Sequence, residues 1–121
     1  SWYQASWTNT SSYTVKFTIN NNKIIYQPQK PRDISIIICG NVSVSAASRI
    51  VTIGIVKNGV TTTRYGETTL RTVTANQAFQ FSTVIYLQNA AKNDYFELYC
   101  STLNNGDILT FQDINWFVNS Q

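Results

Sequence analysis

Few side chains here could transfer a proton. The chain contains no His, so the commonest general base and the commonest transition-metal ligand are both missing. Among its six carboxylates, two pairs are close in sequence: Asp94 with Glu97, and Asp107 with Asp113. Paired carboxylates support hydrolysis when both point into one cleft. A separation of three puts Asp94 and Glu97 on opposite sides of a regular strand, because successive side chains alternate. Asp107 follows Asn104-Asn105-Gly106, a turn in which an Asp side chain caps backbone amides. Both pairs read as structural, and a non-enzymatic chain is expected. Calcium takes about six to eight oxygens. Asn89, Asn93 and Asp94, or Asn104, Asn105 and Asp107, offer part of such a shell, but turn formation explains both clusters. No metal and no cofactor are expected.

Aromatic side chains are the better lead. Trp2, Tyr3, Trp7, Tyr13, Tyr26 and Tyr65 lie in or beside segments too irregular for core strands. Flat rings of this kind stack on sugar faces or fill subunit interfaces. Arg64, Tyr65, Asn89, Lys92 and Asn93 fall in or next to predicted turns and loops, where they offer hydrogen bonds and a ring to a glycan or protein. These five are the expected ligand-binding residues. Asn9-Thr10-Ser11 and Asn41-Val42-Ser43 fit the glycosylation sequon, but 13 Asn among 26 Ser and Thr produce such matches by chance.

The elements that must position these groups are strands. The 37 Val, Ile and Thr residues, against five Leu and no Met, argue for an all-β chain. At 121 residues it has the size of one domain with one core, so residues 1–121 are expected to form a single head domain. Asn, Gln, Ser and Thr total 47 residues while charged residues make up 12%, which gives a polar but weakly charged surface. The net charge is +3 with scattered basic residues, so there is no nucleic-acid footprint. No apolar run approaches the ~18 residues of a membrane helix, and no membrane insertion is expected. The absence of Met, even at position 1, suggests a processed or excised piece of something longer. Cys39 and Cys100 read as buried free thiols, with a bridge left open should their strands be neighbours.

Period-2 alternation marks most of the strands. Tyr13, Val15, Phe17 and Ile19 share one face up to the Asn20-Asn21-Asn22 tract, and Ile24 to Tyr26 form a short strand. Residues 34 to 45 make one bulged strand, or two meeting at Gly40. Val51, Ile53 and Ile55 lead to Lys57-Asn58-Gly59, a hairpin signal that predicts an antiparallel return over Val60 to Arg64. Tyr65-Gly66-Glu67 reads as a turn, Leu70 to Thr74 as a short strand, and Phe79 to Gln88 as a long one. Asn89 to Asp94 reads as a loop, Tyr95 to Leu103 as a strand, and Ile108 to Val118 as the last strand. Eight to ten antiparallel strands predict a jelly-roll β-sandwich. Tyr95 and Phe96 cannot share a face, nor can Trp116 and Phe117. One ring of each pair must look outward, which would expose large apolar surface in a monomer and predicts an oligomer.

Four segments resemble the tumour necrosis factor and complement globular-head superfamily. Gly40-Asn41-Val42-Ser43-Val44 is similar to its Gly-x-Tyr-x-Val strand, with Val42 in the aromatic place, and Val51 to Gly59 resembles its central strand ending in Lys-Asn-Gly. Leu87 followed by Asn93-Asp94-Tyr95-Phe96-Glu97-Leu98 resembles Leu-x-x-Gly-Asp-x-Val-x-Leu, with Asn93 in the glycine place. Trp116-Phe117-Val118 matches the closing aromatic strand. The resemblance implies a homotrimer used for recognition, with this chain as the C-terminal piece of a longer fibrous one. The charge-poor surface looks more like a phage or bacterial fibre tip than an animal cytokine.

The expected function is therefore a homotrimeric attachment head on a viral or phage fibre, at a virion or extracellular fibre surface. Its partners would be copies of itself, through Tyr95, Trp116 and Phe79, and a host cell-surface polysaccharide or protein. The alternatives are a structural trimerisation or capsid decoration domain, or a monomeric carbohydrate-binding module.

Overall fold

A computed structural model of the chain describes residues 2–5, 17–20, 22–102, 104 and 106–120. Trp7, Tyr13 and the Asn9 sequon lie outside them, as do Leu103 and Asn105. Nine strands occur among the described residues: β1 (Tyr3–Gln4), β2 (Phe17–Asn20), β3 (Lys23–Tyr26), β4 (Arg32–Val44), β5 (Arg49–Lys57), β6 (Arg64–Thr72), β7 (Phe79–Ala90), β8 (Tyr95–Thr102) and β9 (Leu109–Ser120). The larger sheet runs β2-β3-β8-β5-β6, with β1 also on β8, and the smaller runs β7-β4-β9. All of the pairings are antiparallel.

From β3 onward the chain alternates between sheets except for the β5–β6 hairpin. β8 enters between β3 and β5, while β7 and β9 flank β4. This is the strand order of a jelly roll, and the molecule is the all-β sandwich that the alternation predicts.

The core forms where the inward positions of both sheets meet. Ile34, Ile36, Ile38, Val42 and Val44 from β4 pack against Val51, Ile53 and Ile55 from β5, Phe96 and Leu98 from β8, and Phe81, Ile85 and Leu87 from β7. Burial of each such side chain contributes about 1.5–3 kcal/mol, which holds the register, since a slip of one residue would turn every one of them to water.

Several boundaries differ from the sequence expectation, for one recurring reason: extra residues are absorbed as bulges rather than as turns. Tyr65-Gly66-Glu67 is not a turn but part of β6. Between Ile53 and Ile55 of β5, the partner steps three residues, from Thr68 to Tyr65. Gly66 takes the left-handed φ of +63°, and a Cβ there would lie 2.2 Å from Ile85 Cγ2 and 2.6 Å from Thr83 Oγ1. The Thr83 hydroxyl donates to the Gly66 carbonyl at 2.6 Å, so the bulge is where the two sheets touch.

Asn89, with φ of +57°, is a second bulge that carries β7 on to Ala90, through the start of the expected loop. The third lies in β9 at Asp113, φ +56°, opposite Gly40. β4 is therefore one strand of 13 residues, and a Cβ at Gly40 would crowd the Gln112 and Asp113 carbonyl oxygens at 3.2 and 3.3 Å and push aside the end of the Ile114 side chain. Asn58 and Gly59 do adopt left-handed turn geometry, and the Val60 amide donates to the Lys57 carbonyl. The return strand nevertheless begins only at Arg64, whose guanidinium donates to the Thr61 carbonyl and braces the loop.

Candidate functional site

The outward face of the smaller sheet is the first candidate. Inward residues of β4 and β7 alternate with Ile37, Val84 and Tyr86, which point away from the core. In the register, Ile37 stands directly between Val84 on β7 and Phe117 on β9. Their exposures are 42%, 66% and 61%, and Tyr86 nearby is 56% exposed. Cross-strand pairs on one face lie ~4.5–5.5 Å apart, so the three form a continuous apolar row.

The surroundings of this row are polar but uncharged. Outward positions on β4 are Ser35, Cys39, Asn41 and Ser43; on β7, Gln80, Ser82 and Gln88; on β9, Thr110, Gln112, Asn115 and Asn119. Charge enters only at the margins. Asp33 accepts the Tyr86 hydroxyl at 2.9 Å and the Asn89 amide at 3.0 Å. The hydrogen bond to Asp33 raises the Tyr86 phenol above its ordinary pKa. Asp113, in the β9 bulge, lies 3.4 Å from the Asn41 amide nitrogen.

One ring of each adjacent pair faces outward, as alternation requires. Phe96 is fully buried while Tyr95 is half-buried under the Lys23 ammonium, 4.4 Å from its ring centroid. In the other pair Phe117 is the outward ring. Trp116 packs against the core from within, and Phe79 is on the inward-facing side of β7 with Phe81. Of the three expected interface residues, only Tyr95 faces outward, and it lies on the larger sheet. Ile36-Ile37-Ile38 was the overlooked signal: in a strand with a single apolar face, the middle Ile has to point away from the core.

The five expected ligand residues gather toward one end of the sandwich, where the 58–63 loop meets the 91–94 loop. Asp94 locks these loops together. Its carboxylate accepts from the Asn58 amide at 3.0 Å and the Ala91 N–H at 2.9 Å, and lies 3.4 Å from Lys57 Nζ. Asn58 in turn accepts the Tyr95 N–H at 2.9 Å. Burial pushes the Asp94 pKa up, but the bonds from Asn58 and Ala91 and the charge of Lys57 together hold it below the ordinary value. Lys92, Asn93 and Asn89 are exposed here. Arg64 is engaged locally, with Glu67 at its Nε and the Trp2 ring 4.3 Å from its Cζ, and Tyr65 packs against the core.

The carboxylates do not converge. Glu97 lies in β8 opposite Val56, on the outward side of the larger sheet. Asp107 pairs with Arg49 at 2.7 Å, in the turn before β9, while Asp113 lies in the bulge of that strand. Among the described residues no three His, Cys, Asp or Glu side chains group as metal ligands.

Both cysteines are free, because Cys39 points outward from the smaller sheet and Cys100 inward from the larger. Cys39 is therefore only half-buried, not the buried thiol expected of it. Burial raises the Cys100 thiol to about 11, leaving it unreactive near neutral pH. No protein-family model matches the chain, and no curated protein matches it significantly.

Proposed function

We propose that this chain is the homotrimeric attachment head of a viral or phage fibre, non-enzymatic, which binds a cell-surface glycan or protein. The observation that carries the reading is the Val84–Ile37–Phe117 row with Tyr86 on an uncharged sheet face. Three strands ~4.8 Å apart and about ten residues long at ~3.3 Å each give a patch of roughly 500 Å². That is over half of the ~800 Å² per partner in a stable interface. An uncharged face suits contact around a three-fold axis, where identical surfaces of three copies converge and like charges would repel. Copies joined through it present their loop ends together, and avidity multiplies hydrogen bonds worth only ~1 kcal/mol each.

Light scattering tests the assembly: the expected mass is three times the 13.7 kDa chain, falling to one chain in Ile37→Asp and Phe117→Asp. A wild-type monomer would refute the trimer and favour a monomeric carbohydrate-binding module. Binding of the labelled trimer to host cells tests attachment. A stable trimer with no cell binding would instead indicate a structural assembly domain.

A further inference from the structure

A second site lies on the flank of the sandwich. β1 is only two residues long, and among the described residues β9 pairs with β4 alone. Between β1 and the beginning of β9 the sheets leave a cleft of about 380 Å³, within the ~300–1,000 Å³ range of small-molecule sites. One wall carries Tyr3, 65% exposed, and the backbone of Gln4, whose side chain is opposite Tyr99 on the other face of β1. The other carries Leu109, Thr110 and Phe111, with Asp107 at the near end. The Phe111 ring is braced edge-on by Phe81, with centroids 5.9 Å apart at 88°.

We infer that this cleft binds a neutral sugar ring, stacked on Tyr3 and hydrogen-bonded by Asp107 and by the open backbone edge of β9. The charge of the lining argues for this class. Asp107 is its only ionised group, with its side chain just 6% exposed and held by Arg49 at 2.7 Å. A carboxylate already matched by a cation leaves the lining without net charge, and so gives no surplus attraction for a cationic ligand, a phosphate or an acidic sugar. It still accepts hydroxyl protons strongly. A neutral pyranose has the matching surfaces: an apolar C–H face for the exposed ring and hydroxyls for the polar groups. The inference rests on the attachment reading for its ligand class but not on the trimer. It also moves the contact away from the 58–63 and 91–94 loops.

The test is amide chemical-shift titration of the labelled chain with methyl glycosides of glucose, galactose, mannose and N-acetylglucosamine, and in parallel with glucose 6-phosphate and N-acetylneuraminic acid. At least one neutral glycoside is expected to shift residues 3–5 and 107–111, and neither anionic sugar to do so. Tyr3→Ala, an exposed position, should weaken that binding about tenfold, with the remaining spectrum intact. Silence from every neutral glycoside overturns the inference, as does equal binding of the anions in the cleft. Shifts confined to 58–63 and 91–94 also overturn it while leaving the attachment reading in place. Cleft shifts in a chain that scatters light as a monomer would sustain the sugar site and remove the trimer.

Discussion

The two sheets turn very different faces outward. On the larger one, outward positions in the middle are covered, though those of β6 are exposed: Gly54 and Val56 are buried, Val56 completely and apart from the central core, and Glu97 is only 3% exposed. Arg64 and Glu67 lie across Gly54, and Trp2 stacks on Arg64. This face carries charges, and the chain's own side chains help to cover it. The smaller sheet is bare, without charge across its middle, and crossed by an apolar row. Exposed apolar area costs roughly 25 cal/mol per Å², and only a partner can recover that on the smaller sheet. One face contributes to the stability of the chain, the other, in the function proposed above, to its association.

The largest expected effect contrasts Val56→Asp with Ile37→Asp, two apolar-to-charged changes on outward faces. Val56→Asp buries an unpaired carboxylate and should cost at least ~3 kcal/mol, or prevent folding. Ile37→Asp should cost under ~1 kcal/mol in the separated chain while abolishing assembly. Urea melts of both variants at low protein concentration measure the difference, and equal losses would erase the distinction between the faces.

Glu97 sharpens the comparison at a smaller scale. Burial raises its pKa, and Lys23 offsets part of that. A carboxyl whose folded pKa exceeds its unfolded value of about 4.3 favours folding most below that value, and this contribution is lost as pH rises through the folded pKa. Glu97→Gln should therefore stabilise the chain at pH 7 by about 1 kcal/mol and flatten the decline in melting temperature above pH 4. A destabilised variant with unchanged pH dependence would count against a desolvated carboxylate at this position. Smallest of all, Trp2→Ala removes the stacking on Arg64 and should lower stability by ~0.5–1 kcal/mol. No loss in thermal melts would mean that the ring covers nothing.

Much of the fold could be read along the chain because period-2 alternation is a local property. The inward sets of β4, β5 and β7 and the buried Phe96 follow directly from it. Local turn chemistry misled where it met a neighbouring strand: Tyr65-Gly66-Glu67 looks like a turn, but Gly66 is required by the approach of Ile85 and Thr83 from the other sheet. The Asn58-Gly59 turn was legible, whereas its junction with Asp94, 36 residues away, was not. Among candidate site residues, alternation required an outward ring from each of two pairs. It did not say that Phe117, rather than Trp116, is the exposed one.

By itself the order of apolar and polar residues determined an all-β sandwich and the identity of most inward side chains. Each of these depends on alternation or on residue type. Tertiary structure alone decided that Ile37, Val84 and Phe117 stand side by side, that Cys39 and Cys100 face different ways, and that β1 and β9 leave a cleft. Those outcomes depend on which strands neighbour one another and in what register, and that is set by the packing of residues far apart in the chain.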